Sequence, residues 1–148
     1  MEERFKLFTV YMTKIRRSIQ KIKTEEMAEY NLKSPHVSCL YYLYKYGKMT
    51  ATELCEICDE DKASISRSIV QLEKEEYVFY PDGSRKRYRA QMALTPKGEK
   101  IAIDLARKID RVLELVGDGV TEESRQNFYK NLALISDNLE EICKQYDK

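Results

Sequence analysis

The sequence predicts a mainly α-helical fold that contains one small β-hairpin. Two observations support this fold class: apolar residues recur at helical spacing through most of the chain, and hydrophobicity alternates with period two in a single stretch. The 148 residues include 5 Gly and 3 Pro, which favours long helices and few loops. With 43% hydrophobic and 34% charged residues, the composition is typical of a globular protein and argues against wholesale disorder.

Long helices are predicted at both ends of the chain, over residues 4–30 and after the N-cap Thr121. Each carries apolar residues at alternating spacings of three and four, which is a heptad seam that packs along another helix. The seams consist of Phe5, Phe8, Met12, Ile15, Ile19 and Ile22, and of Phe128, Leu132, Ile135, Leu139, Ile142 and Tyr146. Two interpretations stay open, a helical bundle within one chain and a dimer interface built from both termini.

Capping signals place the shorter helices between them. Ser34 is a suitable N-cap with Pro35 at the first helical position, and Gly47 suits the end of that helix. Thr50 and Glu53 form a capping box that opens a short third helix. The inward residues of that helix are Leu54, Ile57 and Cys58. Asp61 is the predicted N-cap of a fourth helix, which runs over residues 62–76.

A hairpin follows the fourth helix. The aromatic run 77–80 favours a strand, and residues 81–84 (Pro-Asp-Gly-Ser) favour a turn. Beyond the turn, Tyr88, Ala90, Met92 and Leu94 alternate with more polar neighbours, which indicates a half-buried strand. Thr95 and Pro96 then begin a helix that ends near Gly117. The order helix, short helix, helix, hairpin is the pattern of a winged helix-turn-helix.

The fourth helix has the side chains that DNA recognition requires. Ile65, Ile69 and Leu72 form an apolar stripe, and acidic residues are absent between Lys62 and Gln71. We expect the opposite face to carry Ser64, Arg67, Ser68 and Gln71. Small hydroxyls allow entry into the major groove, arginine forks onto guanine or phosphate, and glutamine reads adenine.

Four basic residues near the hairpin tip give a second, independent indication. Arg85, Lys86, Arg87 and Arg89 fall within five positions. Such a cluster repels itself unless it is solvated or meets an anion, and a slender cationic tip fits the minor groove of DNA.

Residues 32–101 resemble the MarR family of bacterial transcription regulators. The resemblance lies in residues 62–67 (Lys-Ala-Ser-Ile-Ser-Arg), residues 72–78 (Leu-Glu-Lys-Glu-Glu-Tyr-Val) and the wing-to-helix phrase 94–98 (Leu-Thr-Pro-Lys-Gly). It implies a homodimer with interlocked termini, DNA contacts at Ser66 and Arg67, and a wing arginine at Arg87. Two positions depart from the family pattern, because Lys86 stands where Asp is common and Glu76 where Gly is common.

We therefore expect a single MarR-like domain over residues 1–148. Its dimerisation region would be 1–30 and 118–148, its winged helix-turn-helix 31–100, and its connecting helix 95–117. The expected DNA-binding residues are Lys62, Ser64, Ser66, Arg67, Ser68, Gln71, Arg85, Lys86, Arg87 and Arg89. The expected dimer-interface residues are Phe5, Phe8, Met12, Ile15, Phe128, Leu132, Ile135, Leu139 and Ile142.

The expected function is a ligand-responsive repressor that acts as a homodimer on a pseudo-palindromic operator in double-stranded DNA. The alternative is a winged-helix protein-interaction module without DNA binding. An enzyme is not expected, because no catalytic constellation is visible and His36 is the single histidine. Neither a cofactor nor a metal ion is expected, and the absence of a long apolar run or a basic leader favours a cytoplasmic protein.

Two residue sets stay open at this point. The cysteines Cys39, Cys55, Cys58 and Cys143 are expected to be reduced and structural, with redox sensing and metal binding as alternatives. The tyrosines of the second helix region either pack the core and the subunit seam or contact an aromatic effector of unidentified kind. That set is Tyr30, Tyr41, Tyr42, Tyr44 and Tyr46.

The net charge of +1 conceals a polarised charge distribution. Residues 62–100 carry 9 basic and 5 acidic side chains, a net charge of +4, whereas residues 101–148 carry 7 and 10, a net charge of −3. The positive charge therefore falls on the fourth helix and the hairpin, where an anionic polymer would bind.

Overall fold

The structure, a computed structural model, describes residues 2–58, 60–83 and 89–146, except the side chains of Glu2 and Phe5. The chain forms two compact units, residues 1–109 and residues 110–148. Its elements are α1 (Glu2–Glu26), a 3-10 helix (Ala28–Tyr30), α2 (Ser34–Tyr46), α3 (Ala51–Cys58), α4 (Lys62–Lys74), β1 (Val78–Phe79), β2 (Ala93–Leu94), α5 (Pro96–Val116) and α6 (Glu122–Lys144). This order confirms the predicted fold class, a mainly α-helical winged helix-turn-helix with long terminal helices.

Three predicted N-caps are confirmed by their hydrogen bonds. At the start of α3, Thr50 N donates to Glu53 Oε2 at 2.7 Å, and Glu53 N donates to Thr50 Oγ1 at 3.2 Å. These bonds from Thr50, the backbone one first, hold the pKa of Glu53 below its ordinary value. Asp61 Oδ1 accepts from Ser64 N at 2.8 Å, and Thr121 Oγ1 accepts from the N–H three residues on at 3.2 Å. Each cap satisfies an N–H that the first helical turn leaves without a partner.

The first two helices differ from the prediction at their boundary. α1 ends at Glu26, and the chain reaches Asn31 through the 3-10 helix, so the predicted end at residue 30 was wrong. Asn31 has a left-handed φ of 55°, which ends the helical path. The N-cap of α2 is Lys33 and not Ser34, because Lys33 N donates to His36 Nδ1 at 3.0 Å. Burial holds the pKa of His36 below its ordinary value.

The core of residues 1–109 lies where α2, α3, α4 and α5 meet the hairpin. Its fully buried side chains include Leu40, Leu54, Ile65, Leu72, Met92 and Leu105. Val78 pairs with Leu94 and Phe79 with Ala93 in an antiparallel ladder. Ala90 and Met92 are buried while Arg89 and Gln91 are exposed, which confirms the predicted alternation in the described part of this strand.

A single β-bridge ties the hairpin to the segment before α3. Met49 N donates to Met92 O at 3.1 Å, and Met92 N donates to Met49 O at 2.8 Å. The hairpin is therefore attached to the helix-turn-helix through backbone bonds as well as through its buried side chains.

Both terminal helices expose an apolar seam. On α1, Phe8, Met12, Ile15 and Ile19 are 40–46% exposed. In residues 110–148, the α6 residues Phe128, Ile135, Leu139 and Ile142 are 40–52% exposed, and Leu132 is half-buried. None of the described helices combines the length and apolar composition that a membrane crossing requires.

Candidate nucleic-acid interface

α4 packs on the core through one face and leaves the other exposed. Ile65, Ile69 and Leu72 are buried, as the apolar stripe predicts. Lys62, Ser66 and Arg67 are exposed. Because side chains three and four positions apart share a helix face, these last residues lie together on the surface away from the core.

The structure corrects the placement of Ser68. Its side chain is only 3% exposed, so Ser68 lies on the buried face and not on the outward face expected from the sequence. Helical geometry explains the difference, because Ser68 stands three and four positions from Ile65 and Leu72 and its small side chain is accommodated beside them. Ser64 and Gln71 are half-buried at the flank. Gln71 Nε2 donates to Glu75 Oε1 at 2.9 Å, which occupies part of the amide.

The exposed residues define what we call the outward face of α4, namely Lys62, Ala63, Ser66, Arg67, Val70 and Lys74. This set contains no carboxylate and combines three cations with two small side chains. Val70 is 44% exposed, an unusual degree for a valine on a helix whose other face is packed. Sequence reasoning missed Ala63, Val70 and Lys74, although counting three, four and seven positions from Arg67 or Ser66 would have found them.

The tip of the hairpin lies partly outside the described residues. Arg85, Lys86 and Arg87, the expected wing cations, fall there, whereas Arg89 is described and exposed. On the approach to the tip, Gly83 N donates to Tyr80 O at 3.1 Å in a tight turn. Gly83 has a φ of +61°, a conformation that glycine adopts without strain.

The phrase Leu94–Gly98, which we call the junction, fastens the end of α4 to the start of α5. Thr95 Oγ1 donates to Glu76 O at 2.6 Å and accepts from Gly98 N at 3.0 Å, while Thr95 N donates to Tyr77 O at 3.0 Å. One threonine thus caps α5 and holds the chain leaving α4. Its double role explains why threonine suits this position.

Lys97 adds a second fastening within the junction. Its Nζ donates to Glu75 O at 2.7 Å and lies 4.8 Å from the centre of the Tyr77 ring. The ammonium therefore stabilises a carbonyl at the C-terminal end of α4, where the helix dipole favours positive charge. Sequence reasoning used the junction only for the family resemblance and missed that it positions α4.

Two backbone features make this contact close. A Cβ on Gly98 would overlap the Tyr77 carbonyl oxygen and lie 2.8 Å from the carbonyl carbon, so the two backbones touch as only glycine permits. Glu76 has a φ of +60°, in the left-handed region that favours glycine. The family departure at Glu76 is therefore a strained residue that keeps the geometry a glycine would have.

A cleft of about 600 Å³ flanks the outward face of α4. Thr52 and Cys55 of α3 form one wall, Lys62 and Ser66 of α4 another, and Tyr80 lies beside them. Hydroxyl and ammonium groups therefore line the edge between the two helices of the helix-turn-helix.

The tyrosines of the α2 region mainly pack against one another and the core. Tyr41 and Tyr42 meet edge to face at 5.4 Å, and Tyr42 stacks on Tyr46 at 6.1 Å between ring centres. Tyr30 Oη donates to Asp104 Oδ2 at 3.1 Å, and burial followed by this bond raises the pKa of Tyr30. Tyr44 and Tyr46 are exposed, whereas Tyr30, Tyr41 and Tyr42 are partly buried against the core.

No group of His, Cys, Asp and Glu side chains able to hold a metal ion occurs within residues 2–58, 60–83 and 89–146. The chemistry of the outward face is instead that of cations, hydroxyls and small apolar groups on a rigid helix. Such a surface binds polyanions without transforming them.

Comparison with known proteins gives three structures of similar fold. A MarR transcriptional regulator from Methanosarcina mazei Go1 is 21% identical with a TM-score of 0.81, covering 93% of this chain and 92% of that one. Staphylococcus aureus MarR in complex with salicylate and kanamycin is 15% identical with a TM-score of 0.81, covering 95% and 94%. S. aureus MepR in its DNA-binding conformation is 15% identical with a TM-score of 0.77, covering 89% and 98%.

The sequence comparisons agree with the fold. No curated protein matches the sequence significantly. Residues 30–87 match the model of the MarR family, a segment that contains α2, α3, α4 and β1. The resemblance to the MarR family is therefore confirmed, by this match and by a fold shared with MarR-family regulators along nearly the whole chain.

Proposed function

We propose that the chain is a transcriptional regulator, and not an enzyme, that binds double-stranded DNA in the cytoplasm through the outward face of α4. The observation that carries this proposal is the composition of that face, where Lys62, Arg67 and Lys74 surround Ala63 and Ser66 without a carboxylate among them. Small side chains let the helix approach the floor of the major groove, and the cations contact phosphates or a guanine edge. MepR, which shares the fold, has been observed in a DNA-binding conformation.

Charge and attachment support the same proposal. Residues 62–100 carry a net charge of +4, and the hairpin supplies Arg89 together with Arg85, Lys86 and Arg87. Because the junction fastens α4 to α5 through backbone acceptors, the helix is held rigidly and loses little entropy on binding. We expect Lys62, Ser66 and Arg67 to make the central contacts, with Ser64 and Gln71 at the flank.

We propose that the regulator is a homodimer joined through the seams of α1 and α6. The observation behind this is exposure: four large apolar seam residues on each helix remain 40–52% exposed in the single chain. Contiguous apolar surface of this kind marks an interface, and the heptad spacing fits a helical partner. A second copy of the chain offers the same seams, so its two-fold symmetry would match a pseudo-palindromic operator.

The oligomeric state is testable with a charge placed in one seam. Leu139→Glu replaces a seam residue, and we expect sedimentation velocity to show monomer at concentrations where the wild type is a dimer. Asn138→Glu, at the adjacent exposed position outside the seam, is the matched control and should remain dimeric. A wild-type chain that sediments as a monomer at micromolar concentration would contradict the dimer.

We propose that the regulator represses and that a small aromatic effector releases it. S. aureus MarR, of the same fold, has been observed with salicylate and kanamycin. An effector weakens DNA binding only if its affinity differs between the DNA-bound and free conformations. Salicylate titrated into a preformed protein–DNA complex should therefore lower the DNA affinity, and unchanged affinity at saturating salicylate would exclude it as the effector.

DNA binding itself is tested by fluorescence anisotropy on a labelled random-sequence duplex. We expect binding at low salt that weakens steeply as salt rises, because phosphate contacts release counterions. Arg67→Ala should weaken it, whereas Arg107→Ala, which removes an exposed cation of α5, should have little effect. Absent or salt-insensitive binding would instead favour a winged-helix module that binds a protein partner.

A further inference from the structure

Three thiols meet where α2 contacts α3, beneath the proposed DNA interface. Cys39 of α2 is fully buried, and Cys58, the last residue of α3, is 7% exposed. Cys55, one turn earlier on α3, packs against the same core. The thiols of Cys39 and Cys58 are hydrogen-bonded to each other, and all four cysteines of the chain are free.

The hydrogen bond makes the two sulfurs unequal. The Cys39 thiol donates and keeps its proton, and this bond followed by burial raises its pKa. The Cys58 sulfur accepts, so its pKa is lowered by that bond and further by the Lys23 ammonium. Lys23 belongs to α1, where its Nζ donates to Ser38 Oγ at 2.9 Å, so a cation stands close to the thiol pair.

The pair also has a route to solvent. Cys55 lines the cleft beside α4, and its side chain is only partly buried. Cys58 itself retains some exposure, whereas Cys39 has none. A small neutral oxidant would therefore meet Cys58 before Cys39, and Cys58 is also the sulfur with more thiolate character.

We propose that Cys39 and Cys58 form a peroxide-sensitive thiol pair that closes into a disulfide. The Cys58 thiolate attacks one oxygen of hydrogen peroxide, giving Cys58 sulfenic acid and hydroxide as the O–O bond breaks. The Cys39 sulfur then attacks the Cys58 sulfur, forming the S–S bond and releasing the sulfenic oxygen as water. Peroxide is reduced by two electrons, the two thiols are oxidised, and the net products are one disulfide and two waters.

The disulfide has a consequence for DNA binding, which rests on the proposed function. A disulfide bond is about 2.05 Å long, well below the separation of two hydrogen-bonded thiols, so closing it draws the end of α3 towards α2. Asp61, the N-cap of α4, follows Cys58 by three residues. We therefore expect oxidation to displace the start of α4 and to lower its affinity for DNA.

The test begins with the chemistry and needs no DNA. The reduced full-length protein is exposed to one equivalent of hydrogen peroxide, unfolded in an alkylating reagent and mapped by peptide mass spectrometry. We expect a Cys39–Cys58 disulfide, with Cys55 and Cys143 alkylated. Cys39→Ala should instead leave sulfenic acid on Cys58, trapped by dimedone. Alkylation of both Cys39 and Cys58, or a Cys55–Cys58 disulfide, would overturn the proposal in the wild-type protein, whatever the stability of the variant.

A second measurement tests the consequence for DNA. Oxidised protein should bind the random duplex at least tenfold more weakly than reduced protein, and dithiothreitol should restore binding. Cys143→Ser, which removes the exposed thiol of α6, should respond in the same way as the wild type. Unchanged affinity with the mapped disulfide in place would overturn this consequence. Absent binding by the reduced protein would refute the proposed function, and the peptide map would still decide the thiol chemistry.

Discussion

Gly98→Ala is the sharpest perturbation of the junction that positions α4. The added Cβ would overlap the Tyr77 carbonyl oxygen and lie 2.8 Å from its carbon and 3.1 Å from the Tyr77 Cα. All three atoms belong to the backbone, so no flexible side chain moves away, and α5 must withdraw from the end of α4. That withdrawal stretches the bonds from Thr95 to Glu76 O and Tyr77 O.

The expected cost follows from these contacts. Overpacking of this kind costs about 1–3 kcal/mol, and each weakened hydrogen bond adds about 0.5–1.5 kcal/mol. Alanine regains about 1 kcal/mol through its better helix propensity. The free energy of unfolding should therefore fall by about 2–4 kcal/mol.

Urea unfolding followed by circular dichroism, at one fixed protein concentration, measures this change. Gly117→Ala is the matched control just beyond the other end of α5, where an added Cβ meets nothing closer than 3.3 Å, and it should stay within about 1 kcal/mol of the wild type. A Gly98→Ala protein as stable as the wild type would refute the close contact between α5 and Tyr77.

Three further predictions concern local features. Glu76→Gly should raise the free energy of unfolding by about 0.5–1 kcal/mol, because relief of the positive φ exceeds the entropy that glycine adds to the unfolded chain; a less stable variant would contradict strain at residue 76. Asp61→Ala should cost about 0.5–2 kcal/mol in the same urea assay through loss of the cap on Ser64 N, whereas an unchanged midpoint would mean that the cap contributes nothing. Glu53 should titrate below an ordinary glutamate in an NMR pH series, so its stabilising effect is complete above the ordinary pKa and is lost as pH falls through the lowered pKa; an ordinary or raised value would argue against the capping box.

Local sequence signals predicted the described helices and their starts well. The capping residues Thr50, Asp61 and Thr121 act through side-chain bonds to the next few residues, so their role is readable without knowledge of the fold. The alternation that buries Ala90 and Met92 is equally local. These features depend on short-range geometry, which the order of residues determines.

Features that depend on long-range packing were less predictable. Ser68 lies beside the buried stripe because the core decides which flank of α4 is covered, and serine is small enough for either side. The junction bonds join residues about twenty positions apart, such as Thr95 with Glu76. The Cys39–Cys58 contact joins two helices in the same way, and spacing along the chain does not reveal it.

Selection of bound sequences from a random double-stranded library tests most directly whether α4 recognises DNA. The expected result is a two-fold symmetric motif whose half-sites lie about 10–10.5 base pairs apart, one helical turn, as for two recognition helices related by symmetry. Arg67→Ala should relax the preference at one position in each half-site if the guanidinium contacts a base edge. A library that shows no enriched motif, or an unsymmetrical single site, would contradict recognition of an operator by the outward face of α4 in a homodimer.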